Sequence, residues 1–115
     1  MPDHGFSSAY RLTSKADFAA MRRAKRVYQG GLQMVHGRND FGHGRMGFAV
    51  SRKYGNSVAR HQLKRHLREI FRQHPVRDMA VDVLVIPRHP HQQQVQIKHV
   101  IQQCFDRISA LHRVK

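Results

Sequence analysis

Acidic residues are scarce in this chain. Seven Asp or Glu stand against 21 Lys or Arg in 115 residues, leaving a formal charge of +14 and a pI near 11.5. Charge this far from zero destabilises a compact fold through self-repulsion, which a polyanionic partner relieves. Charge alone separates neither RNA from DNA nor either from an acidic membrane. The carboxylates Asp3, Asp17, Asp40, Glu69, Asp78, Asp82 and Asp106 are scattered, so the converging set a metal-dependent nuclease requires is not visible. Cysteine is nearly absent too: Cys104 stands alone, which excludes an internal disulfide and fits a reducing cytoplasm. Apolar runs reach only a few residues, which excludes a transmembrane helix, and MPDHGFSSAYR lacks a signal peptide's hydrophobic region. The expected location is therefore the cytoplasm, with no membrane partner.

Histidine is abundant, at ten residues, and invites a metal hypothesis. The tightest pairs are His89-x-His91 and His61-x4-His66; neither is joined by a Cys or carboxylate at ligand spacing, and His61 and His66 point to different helix faces. No metal site is expected. No Ser-His-Asp or Cys-His arrangement and no P-loop appears, so the chain reads as catalytically empty.

What the sequence does contain is concentrated between Gly47 and Gln73: an alternating strand, a basic turn at Arg52-Lys53-Tyr54-Gly55-Asn56, and a helix dense in Arg and Lys. At about 100° per residue, Ala59, Leu67 and Ile70 fall within about 40° of Leu63, and Phe71 within about 80°, forming a core-facing stripe. On the same construction His61, Lys64, Arg65, Arg68 and Arg72 lie roughly 100° to 200° away, while Arg60, at about 60°, is placed to project along the sheet. Glu69 is the one acid among them, so the face is not neutralised by i, i+4 pairs.

With 40% hydrophobic residues, the chain suffices for one domain, 1–115, and is too short for two; residues 1–10 read as a flexible leader. A helix is predicted from about Ser14 to Ala24, carrying Phe18 and Met21 and ending in cations that favour its dipole. Phe18 reads either as a core anchor or as a ring on which a base stacks. Strands are predicted at Val27-Tyr28, Leu32–His36 and Arg45–Arg52, the first two joined through Gly30-Gly31. Val81–Ile86 reads as a strand covered on both faces. A final helix is predicted from about Gln92 to His112, with Ile97, Val100, Ile101, Cys104, Phe105, Ile108 and Leu111 on its apolar stripe, so Cys104 is a small core hydrophobe.

Arg11-Leu12-Thr13, Asp17-Phe18, the run Arg45-Met46-Gly47-Phe48-Ala49-Val50-Ser51-Arg52-Lys53, Gly55-Asn56 and the run Arg60 to Glu69 together resemble the bacterial ribonuclease P protein subunit. The most specific part is the "RNR" signature, usually Arg-Asn-Arg-x-x-Lys-Arg-x-x-Arg-Glu. Here His61 replaces the Asn and Gln62 the second Arg, whereas Arg60, Lys64, Arg65 and Arg68 match. Phe18 matches the family's cleft aromatic, and Arg22, one turn on, stands where a second aromatic is frequent. The resemblance implies an α+β, two-layer α-β-β-β-α-β-α sandwich, similar to ribosomal S5 domain 2, with a left-handed β-α-β crossover that general topology rules would not predict.

It also implies a division of labour. A catalytic RNA removes the 5' leader of precursor tRNA with Mg2+, which the RNA binds, and the protein assists. Arg60, His61, Lys64, Arg65, Arg68 and Arg72 are the expected contacts to the catalytic RNA; Phe18, Arg22, Arg52, Lys53 and Asn56 are the expected leader-binding cleft. An aromatic platform with backbone-tracking cations suits a strand of arbitrary sequence. Alternatives in descending order are a structural RNA-binding protein without a part in cleavage, a DNA-binding protein, and a self-sufficient metallonuclease. DNA is disfavoured because no helix-turn-helix precedes the basic helix.

Overall fold

The computed structural model describes residues 8–12, 19, 21, 24–90 and 96–113. After a 3-10 turn at Ser8–Tyr10 come β1 (Lys25–Gln29), β2 (Leu32–Arg38), β3 (Arg45–Phe48), a 3-10 turn (Arg52–Tyr54), α1 (Ser57–Gln73), a further 3-10 turn (Pro75–Asp78), β4 (Val81–Pro87) and α2 (Ile97–Arg113). The strands form one sheet in the order β1-β2-β4-β3, antiparallel except for the parallel pair β3 and β4. This is the mixed α+β architecture expected from the sequence. The predicted helix from Ser14 falls almost wholly outside the described residues; near its end, the Ala24 N–H donates to the Met21 carbonyl at 3.2 Å.

Local chemistry explains most element boundaries. Gly30 and Gly31 both have positive φ, 53° and 86°, as a two-residue hairpin between right-twisted strands requires. A Cβ on Gly30 would also stand 2.6 Å from Val100 Cγ2, so the turn is pressed against α2. At the start of α1 the Asn56 Oδ1 accepts from the Ala59 N–H at 2.9 Å, a cap worth about 1 kcal/mol. The helix ends because His74 precedes Pro75 and is driven into extended backbone, φ −95° and ψ 144°. His74 then ties three elements: its Nδ1 accepts from the Val76 N–H at 3.0 Å and its Nε2 lies 2.7 Å from Asp106 Oδ1 on α2.

One expectation about length and one about burial are corrected. The strand predicted from Arg45 to Arg52 stops at Phe48. Ala49 still donates to the Val85 carbonyl at 2.9 Å, but the next rung of a parallel ladder would need an N–H from Pro87, which has none. Leu111, predicted in the apolar stripe of the last helix, is 54% exposed: it lines a cavity, while His112 beside it is the residue of that turn that meets β2.

Both sheet faces are covered, as the continuous apolar run of β4 required. On one face Val27, Met34, Met46, Val83 and Val85 meet Leu63, Leu67 and Phe71 of α1 and Ile101, Cys104, Phe105 and Ile108 of α2. Full burial of each such side chain contributes about 1.5–3 kcal/mol. Cys104 is wholly buried, and burial pushes its thiol up to about 11, so it is a core residue. On the other face Val35 and Leu84 pack with Leu12 and Met21. There the paired positions Arg45 and Asp82 form a buried, two-pronged ion pair, Nε to Oδ1 at 2.8 Å and Nη2 to Oδ2 at 2.7 Å.

Candidate functional site

The apolar stripe of α1 fixes its opposite face outward. Leu63, Leu67 and Phe71 are buried; His61 and Arg65 are exposed, and Arg60, Lys64, Arg68 and Arg72 are half-buried along the flanks. The structure thus brings the six predicted helix residues onto one cationic ridge. No acid occupies the first turn of α1, where the dipole would favour one, and Arg60 sits there instead. Arg52 and Lys53, both exposed, and Asn56 adjoin this same turn. The three predicted cleft residues among those described therefore extend the positive end of the ridge, with the Asn56 carbonyl oxygen engaged in capping.

The ridge borders a groove that the sequence did not reveal. Arg11, Leu12, Met46, Gly47, Phe48, Lys64 and Arg68 enclose about 240 Å³ along the outer edge of β3. One wall is built by Arg11, bridged to Met46, and by the Leu12 N–H donating to the Met46 carbonyl at 3.0 Å. Phe48 forms the floor, with Lys64 Nζ 6.0 Å and Arg68 Cζ 5.4 Å from its ring centroid. These contacts orient the cationic tips. Farther along, Arg72 shares a depression of about 230 Å³ with Glu69, Ile70, Gln73 and Lys98, so α2 lends a cation to the ridge. His66 lies 3.9 Å from Glu69, yet burial first and then Lys98 hold its imidazole below the usual range.

A larger cavity, about 390 Å³, opens beside Ala24, where the segment bearing Phe18 and Arg22 ends; both of those candidates lie outside the described residues. Its walls among the described residues are Lys25, His36, Gly37, Arg38, Leu111 and His112, none of them a carboxylate. His36 Nδ1 and His112 Nε2 are 2.7 Å apart, the rings near perpendicular at 82°. His36 is lowered to about 4 by burial, then by His112 and Lys25; His112 is lowered by burial, then by Arg38 and Lys25. Both imidazoles are therefore neutral at pH 7 inside a positive field. His36 and His112 are 76 positions apart, and no periodicity in the sequence marks them as partners. Among the described residues no three His, Cys, Asp or Glu gather as metal ligands.

Fold and surface define the class: a small α+β domain in which one helix holds a cationic ridge beside a half-buried aromatic ring. The chain belongs to the ribonuclease P protein family, whose model, described as Ribonuclease P, matches residues 6–109. It is 38% identical over 84 residues to the ribonuclease P protein component of Staphylococcus epidermidis, covering 71% of this chain and 73% of that one. Among solved structures it is similar to a Staphylococcus aureus RNase P protein mutant with defective mRNA degradation activity, with a TM-score of 0.73 and 29% identity over 93% of this chain and 91% of that one. The RNase P protein from Thermotoga maritima superposes with a TM-score of 0.67 at 26% identity, over 91% of this chain and 97% of that one.

Proposed function

We propose that this chain acts as the protein subunit of ribonuclease P in the cytoplasm, binding the catalytic RNA and the 5' leader of precursor tRNA while the RNA carries out Mg2+-dependent endonucleolytic removal of the leader. The observation that carries this reading is the ridge of α1, where Arg60, His61, Lys64, Arg65, Arg68 and Arg72 share one face with Glu69 as their single acid. Such a face suits a folded RNA whose strands converge. Its cations replace part of the ion atmosphere and lower the Mg2+ the RNA needs, with the ion itself held by the RNA. The first turn of α1, with Arg52, Lys53 and Asn56 beside it, adds the positive end of the helix dipole, which favours phosphate.

The leader is assigned to the cleft of Phe18, Arg22, Arg52, Lys53 and Asn56, the last three of which stand beside the first turn of α1. The cavity beside Ala24, which Lys25 and Arg38 help to line, adds further cations for backbone tracking. The partners are then ribonuclease P RNA and precursor tRNA, with no DNA and no membrane. The test is the salt dependence of binding to ribonuclease P RNA. Replacing Lys64, Arg65 and Arg68 together with Ala is expected to weaken binding and reduce the slope of log K against log salt by about 2–3. An unchanged slope would remove the ridge from the interface.

A further inference from the structure

Phe41 has no part in the ridge, the groove or the cavity, yet its exposed side chain is held by a closed set of contacts. It is 57% exposed at the crown of the loop between β2 and β3. A solitary exposed apolar residue on a loop is ordinary. This one differs in having one ring face clamped: Arg45 Cζ lies 4.0 Å from its centroid. That guanidinium is itself immobilised, being buried and donating two hydrogen bonds to Asp82. Asp82 Oδ1 also accepts from Asn39 Nδ2 at 2.7 Å, and Asn39 Oδ1 accepts from the Phe41 backbone N–H at 3.0 Å. The chain of contacts runs from the Phe41 backbone through Asn39, Asp82 and Arg45 back to the Phe41 ring.

The rest of the loop is equally constrained. Gly42 takes a φ of +77°, and a Cβ on Gly44 would lie 2.4 Å from the Val76 carbonyl oxygen. Next to Phe41 stands His43, ring centroids 6.5 Å apart, then Tyr10 at 4.7 Å from His43, with Arg77 Cζ 5.0 Å over the Tyr10 ring. Tyr10 is followed directly by Arg11, a wall of the groove on the β3 edge. A row of three rings with a guanidinium group at each end, leading toward a cationic groove, combines the aromatic faces and cations on which bases of a single strand stack. Asp40, adjacent and exposed, makes the immediate surface a poor phosphate contact, so what Phe41 offers is its open face.

We propose that Phe41 is a stacking platform for an unpaired RNA base, held in register by the buried Asn39–Asp82–Arg45 group. This rests on the RNA-binding reading above and adds to it a place where an unpaired nucleotide is gripped outside both the ridge and the cavity beside Ala24.

The sequence contains no Trp, so F41W introduces a single fluorophore at the site while keeping a flat ring over Arg45. Titrating F41W with a short single-stranded oligoadenylate is expected to quench its emission saturably, with the dissociation constant of the wild type measured by anisotropy. F41A is expected to bind about ten-fold more weakly. Its salt slope should be unchanged, because no cation has been removed. F41L, which keeps apolar bulk without a planar face, is expected to behave like F41A; wild-type affinity for F41L would overturn stacking. Oligonucleotide binding that K64A/R65A/R68A weakens, with F41W unquenched, overturns the platform and leaves the RNA-binding reading standing. A wild-type chain that binds ribonuclease P RNA but not the oligoadenylate overturns the platform alone, and one that binds neither overturns both.

Discussion

Replacing His36 with Phe should remove one proton's worth of the acid sensitivity of this fold. In the folded chain His36 is buried and lowered to about 4, against about 6.5 when unfolded. The neutral imidazole is thus favoured by folding. Its contribution is fully present above pH 6.5, is lost as pH falls from 6.5 toward 4, and is exhausted below that. The unfolded chain binds more protons throughout this window, so stability rises with pH across it. A shift from 6.5 to about 4 corresponds to about 3 kcal/mol, with a limiting slope of about 1.4 kcal/mol per pH unit. His112, 2.7 Å away, titrates as part of the same pair and is lowered in the same direction. Urea unfolding of the wild type and H36F at several pH values between 4 and 7.5 gives the difference directly. The wild type should lose about 3 kcal/mol more than H36F as pH falls across the window. Parallel curves would show that His36 is solvated when folded and that the packing around the pair is wrong.

Two further outcomes follow from other parts of the fold. Asp82→Asn leaves the buried Arg45 guanidinium without its counter-charge and should destabilise the chain by about 3–5 kcal/mol, measured by urea unfolding; a loss under about 1 kcal/mol would mean the pair is hydrated. Phe18→Ala should weaken binding of leader-bearing precursor tRNA more than mature tRNA, whereas equal losses for both would return Phe18 to the core.

What the sequence disclosed and what it concealed divide along the range of the interactions. The face of α1 was legible because Leu63, Leu67 and Phe71 recur at helical spacing and their burial dictates where Lys64, Arg65 and Arg68 point. The hairpin at Gly30-Gly31 was legible because its backbone needs two positive φ angles. The early end of β3 was not, since it depends on Pro87, a residue of the neighbouring strand. Leu111 satisfies the stripe's angle, yet among the described residues it lines the cavity beside Ala24 while its neighbour His112 turns onto His36 of β2. The groove over Phe48, the His36–His112 pair and the Arg45–Asp82 ion pair each join residues brought together by sheet register or helix packing, for which a single sequence carries no local mark.

The central claim is tested most directly by precursor-tRNA cleavage with a bacterial ribonuclease P RNA at low Mg2+, with and without this protein, beside a control of protein alone. The account predicts stimulation that requires the RNA, with no cleavage by the protein alone. Tight RNA binding without stimulation, repeated with RNAs from several bacteria to exclude a mismatched partner, would contradict the subunit role and favour a structural RNA-binding protein. Cleavage by the protein alone that survives rigorous removal of contaminating ribonuclease would contradict the division of labour itself.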